Sequence, residues 1–168
     1  MEYQNGDLVV YGIHGVCRII GREIRAVDRK QIEYYVLEPQ DQPGARYFIP
    51  TQNQAAVSKL RSLLSSQEIS NILQAQNGKA DAWIQDENLR KQRYRELINS
   101  GDRAALISMV HALHLHKQEQ TAAGKKFHLC DENFMRDAQK LLGTEFSLVL
   151  NIPQEQVAQY VMDMMKTE

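Results

Sequence analysis

The spacing of the hydrophobic positions changes near residue 58. Before this point, β-branched and aromatic residues occur in short runs that are separated by turn residues, a pattern typical of antiparallel strands. Four or five short strands within about 60 residues favour a small SH3-like or Tudor-like barrel. The runs that we predict as strands are 6–11, 16–24, 32–38 and 45–50, with a turn at 27–30.

After this point the apolar residues recur at helical spacing. Ser65 and Glu68 have the spacing of a capping box, and Gly78 is expected to end the helix that they open. The aspartates that we expect to cap later helices are Asp81, Asp102 and Asp131, and Pro153 suits a first helical turn. The helices predicted in this way are 66–76, 82–99, 103–118, 132–150 and 153–165.

The fold class that follows is β + α. An antiparallel β-barrel is followed by an all-α domain of about five helices. The change of hydrophobic period lies between residues 58 and 66, and we therefore predict two domains, 1–62 and 63–168.

Charge is distributed unevenly along the chain. The net charge of −1 over 168 residues gives no overall sign of a polyanion partner. Residues 90–140, however, carry 10 Lys/Arg against 6 Asp/Glu, whereas residues 141–168 carry 1 against 4. A near-neutral total can therefore hide one basic face, which is the part of a protein that a nucleic acid meets.

The sequence offers little for catalysis or metal binding. Cys17 and Cys130 are far apart and form neither a disulfide framework nor a zinc knuckle. His111 and His114 share a helix face but lack a third ligand nearby. We expect no catalytic residues, no metal, no cofactor and no small-molecule substrate. Without a long apolar run or a leader-like start, we expect a cytoplasmic protein with no membrane partner.

Trp83 is the only tryptophan in the chain. On the wheel of helix 82–99 it lines up with Tyr94 and Leu97, but the same face carries Glu87 and charged residues in between. Burial of the ring is one interpretation, since an aromatic side chain gains about 3 kcal/mol by leaving water. The other is an exposed apolar wedge, with nearby cations available to phosphates. Those cations are Arg90, Lys91, Arg93 and Arg95, and Lys125 and Lys126 lie in a later loop.

Several segments together resemble a known family. The N-terminal segment reads "GDLVVYGIHGVCRI", followed by "YYVLE" and "FIP". The helical half reads "WI", "LRKQRYRELINSGDRAALISMV", "LHK" and "GKKFH". These segments resemble the CarD/CdnL family of bacterial transcription regulators, whose N-terminal module is also found in the transcription-repair coupling factor. The resemblance covers essentially the whole chain.

The resemblance implies two binding sites. In the family, a Tudor-like domain binds the RNA polymerase β subunit, and we assign Arg25, Phe48 and Arg46 to this contact. The helical domain contacts promoter DNA at the upstream edge of the bubble, weakly and largely without sequence specificity, and a tryptophan wedges into the minor groove. This implies that the protein stabilises the open promoter complex. The DNA contacts implied here are Trp83, Arg90, Lys91, Arg93, Lys125 and Lys126.

The residues next to the tryptophan differ from the family pattern. Many members have arginines there, whereas Ile84, Gln85 and Asp86 follow Trp83 in this chain. The residues alone also leave two other classes open. One is a protein–protein adaptor that keeps Trp83 for a groove on a partner, and the other is an enzyme. Crosslinking to DNA separates the regulator from the adaptor.

Overall fold

The computed structural model describes residues 2–76 and 81–166. The chain divides into two compact units, Met1–Leu63 and Leu64–Glu168, which we call the β unit and the helical unit. None of the helices in the described ranges has the length and apolar character needed to cross a membrane.

The β unit is a five-stranded antiparallel sheet with the strand order β4-β3-β2-β1-β5. In the described part of the chain, no pairing between β4 and β5 closes the sheet, so the closed barrel is not seen. A short helix, α1 (Gln54–Val57), precedes the last strand. The strands are β1 (Leu8–Tyr11), β2 (Val16–Val27), β3 (Lys30–Pro39), β4 (Tyr47–Pro50) and β5 (Leu60–Ser62).

Strands β2 and β3 form a long hairpin through the turn predicted at 27–30. Asp28 and Arg29 both have positive φ, 51° and 65°, as a two-residue turn that follows the twist of the strands requires. One side of the sheet is covered by a hydrophobic core. Its buried members are Val9, Cys17, Ile19, Tyr35, Leu37, Ile49 and Leu60.

The helical unit contains five helices in the described residues. The capping box is confirmed, because the Ser65 hydroxyl accepts from the Glu68 amide and the Glu68 carboxylate accepts from the Ser65 amide, both at 3.1 Å. Gly78, predicted to end the first helix, lies outside the described residues. The helices are α2 (Ser66–Gln76), α3 (Glu87–Ser100), α4 (Arg103–Ala122), α5 (Leu129–Leu150) and α6 (Gln154–Lys166).

One of the three predicted aspartate caps is confirmed and two are wrong. Asp102 caps α4 by accepting a hydrogen bond from the Ala105 amide. Helix α3 starts at Glu87, five residues later than predicted, because Asp86 rather than Asp81 accepts from the first-turn amide. Asp131 lies inside the first turn of α5 and is fully buried, because its carboxylate pairs with an arginine of another helix.

A second buried carboxylate fixes the start of the helical unit. Glu145 of α5 accepts two hydrogen bonds from Arg103, each 2.9 Å, and one from the backbone amide of Leu64, also 2.9 Å. Breaking such a buried pair leaves an uncompensated charge, so this contact holds α4, α5 and the first residue of the unit together.

Candidate functional site

Trp83 lies in an irregular segment, 81–86, and not on a helix. Its ring is half-buried and packs against the helical core. The indole stacks on the imidazole of His116 in α4, with ring centres 3.7 Å apart and planes 9° from parallel. Trp83 is therefore neither a fully buried core residue nor a freely exposed wedge. It is a surface side chain that the helical unit holds in one place.

Arg90 of α3 also contacts the segment that carries Trp83. Its Nε and Nη2 donate to the two carboxylate oxygens of Asp131 at 2.8 and 2.9 Å, and its Nη1 donates to the carbonyl oxygen of Ile84 at 2.9 Å. The guanidinium carbon lies 4.6 Å from the centre of the Trp83 ring. Since Arg90 is only 4% exposed, its charge is directed into the protein and not towards a ligand outside it.

His116 is held in a defined orientation and protonation state. Its Nε2 lies 3.1 Å from the side-chain amide nitrogen of Gln120, which can only donate, so the imidazole Nε2 accepts and the proton resides on Nδ1. Nδ1 lies 4.0 Å from the Glu119 carboxylate. Burial lowers the pKa of His116 below its ordinary value of 6.5, against the opposing effect of Glu119. The ring that stacks on Trp83 is therefore neutral at neutral pH.

The loop after α4 carries two exposed lysines close to Trp83 and His116. Gly124 has φ of 72°, and the Lys125 amide donates to the Gln120 carbonyl while the Gly124 amide donates to Thr121, which is a Schellman ending of the helix. The next side chain, Phe127, is half-buried, and its ring centre lies 6.2 Å from that of His116. Lys125 and Lys126 are thus brought to the same end of the helical unit as Trp83.

Two other cations of α3 that were assigned to DNA, Lys91 and Arg93, do not share a face of the helix. Lys91 pairs with Glu87 at 3.2 Å, and Arg93 lies 3.9 Å from Glu96. Positions 91 and 93 lie about 160° apart around the helix. The structure therefore groups Trp83 with the lysine loop and a buried Arg90, and it does not place Lys91 and Arg93 on one common face.

The candidate polymerase contacts lie together in the β unit. Arg25 of β2 reaches across β3, and its guanidinium carbon lies 4.0 Å from the centre of the Phe48 ring on β4. The Tyr34 and Phe48 rings form a T-shaped pair with their centres 6.3 Å apart. Arg25 is exposed and pairs with Glu23 at 3.1 Å. Among the described residues no strand pairs with the outer edge of β4, so Phe48 and Arg25 form a small surface beside a sheet edge.

Arg46 lies just before β4 and is exposed. Its Nη1 donates to the Glu38 carboxylate at 2.6 Å, a short charge-assisted hydrogen bond. The guanidinium of Arg46 is therefore already paired with a carboxylate of the β unit.

Nothing in the described ranges indicates a metal centre. No group of three His, Cys, Asp or Glu residues there could hold an ion. Burial raises the pKa of the Cys17 thiol to about 12, so this cysteine is a protonated core side chain.

Sequence reasoning missed the parts of the site that hold Trp83. The sequence predicts Asp131 as a helix cap and gives no role to His116. The available signal was Arg90 itself, which lies one helical turn before Tyr94 on the face that carries the buried residues of α3. No local pattern, however, pairs residues that are 41 positions apart.

The chain thus consists of two units, an open β-sheet followed by a helical unit that holds a tryptophan at its surface. The family model of the CarD-like/TRCF RID domain matches residues 3–61, and that of the CarD C-terminal domain matches residues 68–162. The chain therefore belongs to the CarD-like family of RNA polymerase-interacting transcription regulators. A search of the curated proteins found no match.

Proposed function

We propose that this protein binds the RNA polymerase β subunit through its β unit and stabilises the open promoter complex through its helical unit, at the upstream edge of the bubble. The observation that carries the proposal is that one chain contains both family domains, the polymerase-interacting one at 3–61 and the CarD C-terminal one at 68–162. The domains of the proposal are thus 1–62 for polymerase and 63–168 for DNA.

The polymerase contact is centred on Arg25 and Phe48. The exposed edge of β4 offers backbone groups to a strand of the partner, a common mode of docking between sheets. Arg25 lies over Phe48 and presents N–H donors that suit a carboxylate bidentately. Its partner within the chain, Glu23, is itself half-exposed, so the pair can exchange for a contact across an interface. Arg46 contributes at the rim of this surface.

The DNA contact is centred on Trp83. An indole held at the surface by stacking is pre-organised, so little conformational entropy is lost when DNA binds. Lys125 and Lys126 supply phosphate contacts at the same end of the unit, and Lys91 and Arg93 add charge from α3. Arg90 acts in this proposal through Trp83, by anchoring its segment to Asp131, because its own charge is buried.

The free energies of base stacking limit what such a DNA contact can do. Stacking in DNA is worth about 1.4 kcal/mol per step, and unstacking one step costs a few kcal/mol. One indole and a few lysines therefore cannot melt a promoter. They can stabilise a distorted step that polymerase has already made, which shifts the population towards the open complex. The β unit compensates for the weak, salt-sensitive DNA contact by raising the local concentration of the helical unit at the fork.

Two measurements on the chain of 168 residues test this function. The protein should co-purify with RNA polymerase, and it should lengthen the lifetime of open promoter complexes after a competitor is added. A chain that binds polymerase without changing that lifetime would fit an adaptor and would contradict the DNA half of the proposal. Failure to bind polymerase would contradict the whole.

A further inference from the structure

Trp83 has no helix of its own to fix its side chain. Residues 81–86 are irregular, so the position of the indole depends on the groups that contact it. Two of these are Arg90, which also binds the Ile84 carbonyl, and His116, which stacks on the ring. His116 lies on the long helix α4, its side chain is only 16% exposed, and its ring supports one face of the indole.

We propose that His116 is the positioning residue for Trp83, and that the stacked pair meets DNA as one unit, with the indole edge as a wedge instead of the indole face as an intercalator. The inference rests on the proposed function, since it specifies how that wedge is presented.

The stacking of Trp83 on His116 supports the proposal that the edge of the indole, and not its face, meets the DNA. Rings whose centres are 3.7 Å apart and whose planes differ by 9° are in full van der Waals contact, so one face of the indole is already used. A ring that intercalates needs both faces for neighbouring bases. The guanidinium of Arg90, 4.6 Å from the ring centre, covers further π surface. What remains available to a base step is the ring edge.

The stack should be sensitive to acid because the arrangement suits a neutral imidazole. Protonated His116 would lose its acceptor for Gln120 and would place a second cation beside Arg90. Glu119 and Asp131 favour the charged imidazole, but burial outweighs them and lowers the pKa of His116. The charged and titratable groups that face His116 are Glu119 of α4, Arg90 of α3, Asp131 of α5 and His128 before α5.

Fluorescence tests the stack without DNA, because Trp83 is the only tryptophan in the chain. Wild-type emission should change with pH, with a midpoint below 6.5, and both His116→Phe and His116→Ala should abolish this change. Removing a stacked ring lowers the ratio of docked to released indole by roughly fivefold. His116→Ala should therefore raise quenching by acrylamide, whereas His116→Phe, which keeps a flat ring, and the control His114→Ala should match wild type. Unchanged quenching in His116→Ala would overturn the proposal.

Open-complex lifetime with polymerase tests the positioning role. His116→Ala should shorten the lifetime towards that of Trp83→Ala, and His116→Phe should restore it and remove its dependence on pH below 6.5. A folded His116→Ala that supports the wild-type lifetime, while Trp83→Ala does not, would overturn the role of His116 alone. If Trp83→Ala also supports the wild-type lifetime, the wedge itself fails, and this inference fails with it.

Discussion

The guanidinium carbon of Arg90 lies 4.6 Å from the centre of the Trp83 ring, and the same guanidinium binds both carboxylate oxygens of the buried Asp131. A surface indole is thus linked through one arginine to a carboxylate that has no exposure to solvent. The position of the proposed DNA-binding side chain depends on an ion pair inside the helical unit. Changes to that pair should affect both stability and DNA binding.

Truncating Arg90 should be strongly destabilising. Arg90→Ala leaves Asp131 buried without its partner, and breaking a buried pair in this way costs about 3–5 kcal/mol. Arg93→Ala is the control, because Arg93 lies on the same helix but is exposed and pairs weakly with Glu96, so its loss should stay within about 0.5 kcal/mol. Urea unfolding of the two variants measures this. Equal, small losses would show that the Arg90–Asp131 pair is not formed.

Two substitutions test where helix α3 begins. Asp86 accepts from the Leu89 amide at 3.0 Å, so Asp86→Ala should cost about 1 kcal/mol of stability. Asp81 is exposed and precedes the helix by several residues, and Asp81→Ala should change stability by less than about 0.5 kcal/mol. The reverse order of the two losses in denaturant unfolding would return the start of the helix to residue 82.

His14 should make the β unit less stable in mild acid. Burial lowers the pKa of His14 below 6.5, against an opposing effect of Asp41, and its ring packs on Tyr47 at 4.3 Å. The unfolded chain therefore binds a proton at a pH where the folded protein does not. This contribution to stability is complete above pH 6.5 and decreases as pH falls from 6.5 towards the lower folded pKa.

The comparison of wild type with His14→Phe isolates this effect from other titrating groups. Wild type should lose more stability than the variant between about pH 7.5 and about pH 5.5, the range in which imidazoles titrate. Parallel pH profiles for the two proteins would show that His14 has an ordinary pKa in the folded state.

Reversing the charge of Arg25 should weaken polymerase binding without unfolding the protein. Arg25 is exposed, so its replacement removes few core contacts, whereas loss of a charge pair across an interface weakens binding by about tenfold or more. Arg29→Glu, in the exposed turn of the same hairpin, makes the same charge change as a control. Normal polymerase binding by Arg25→Glu, or a large drop in its melting temperature, would remove Arg25 from the interface.

Local signals in the sequence predicted the features that local interactions determine. The Ser65–Glu68 capping box, the Asp102 cap and the turn at 27–30 each depend on residues within four positions of one another, and all three are present. Strand β5 (Leu60–Ser62) was missed because three residues are too few to show a period and its pairing with β1 is distant in sequence.

The site was predicted less well because its geometry depends on distant contacts. The sequence singled out Trp83, Lys125 and Lys126, but a charge pattern cannot show that one arginine among several is neutralised inside the protein. Arg90 is predicted as a phosphate contact, but in the structure it is buried and pairs with Asp131, which is 41 residues away in the sequence. The same ion pair displaced Asp131 from its predicted role as a cap.

The lifetime of open promoter complexes formed with Trp83→Ala, in the full chain, tests the proposed mechanism most directly. The ring is half-buried, so the substitution should cost about 2 kcal/mol, less than the 3–5 kcal/mol typical of a core aromatic, and the protein should stay folded and bind polymerase. With binding saturated, the lifetime should fall towards that of polymerase alone, and Trp83→Phe should recover part of it. A folded, polymerase-bound Trp83→Ala that gives the wild-type lifetime would contradict the role of Trp83 at the fork.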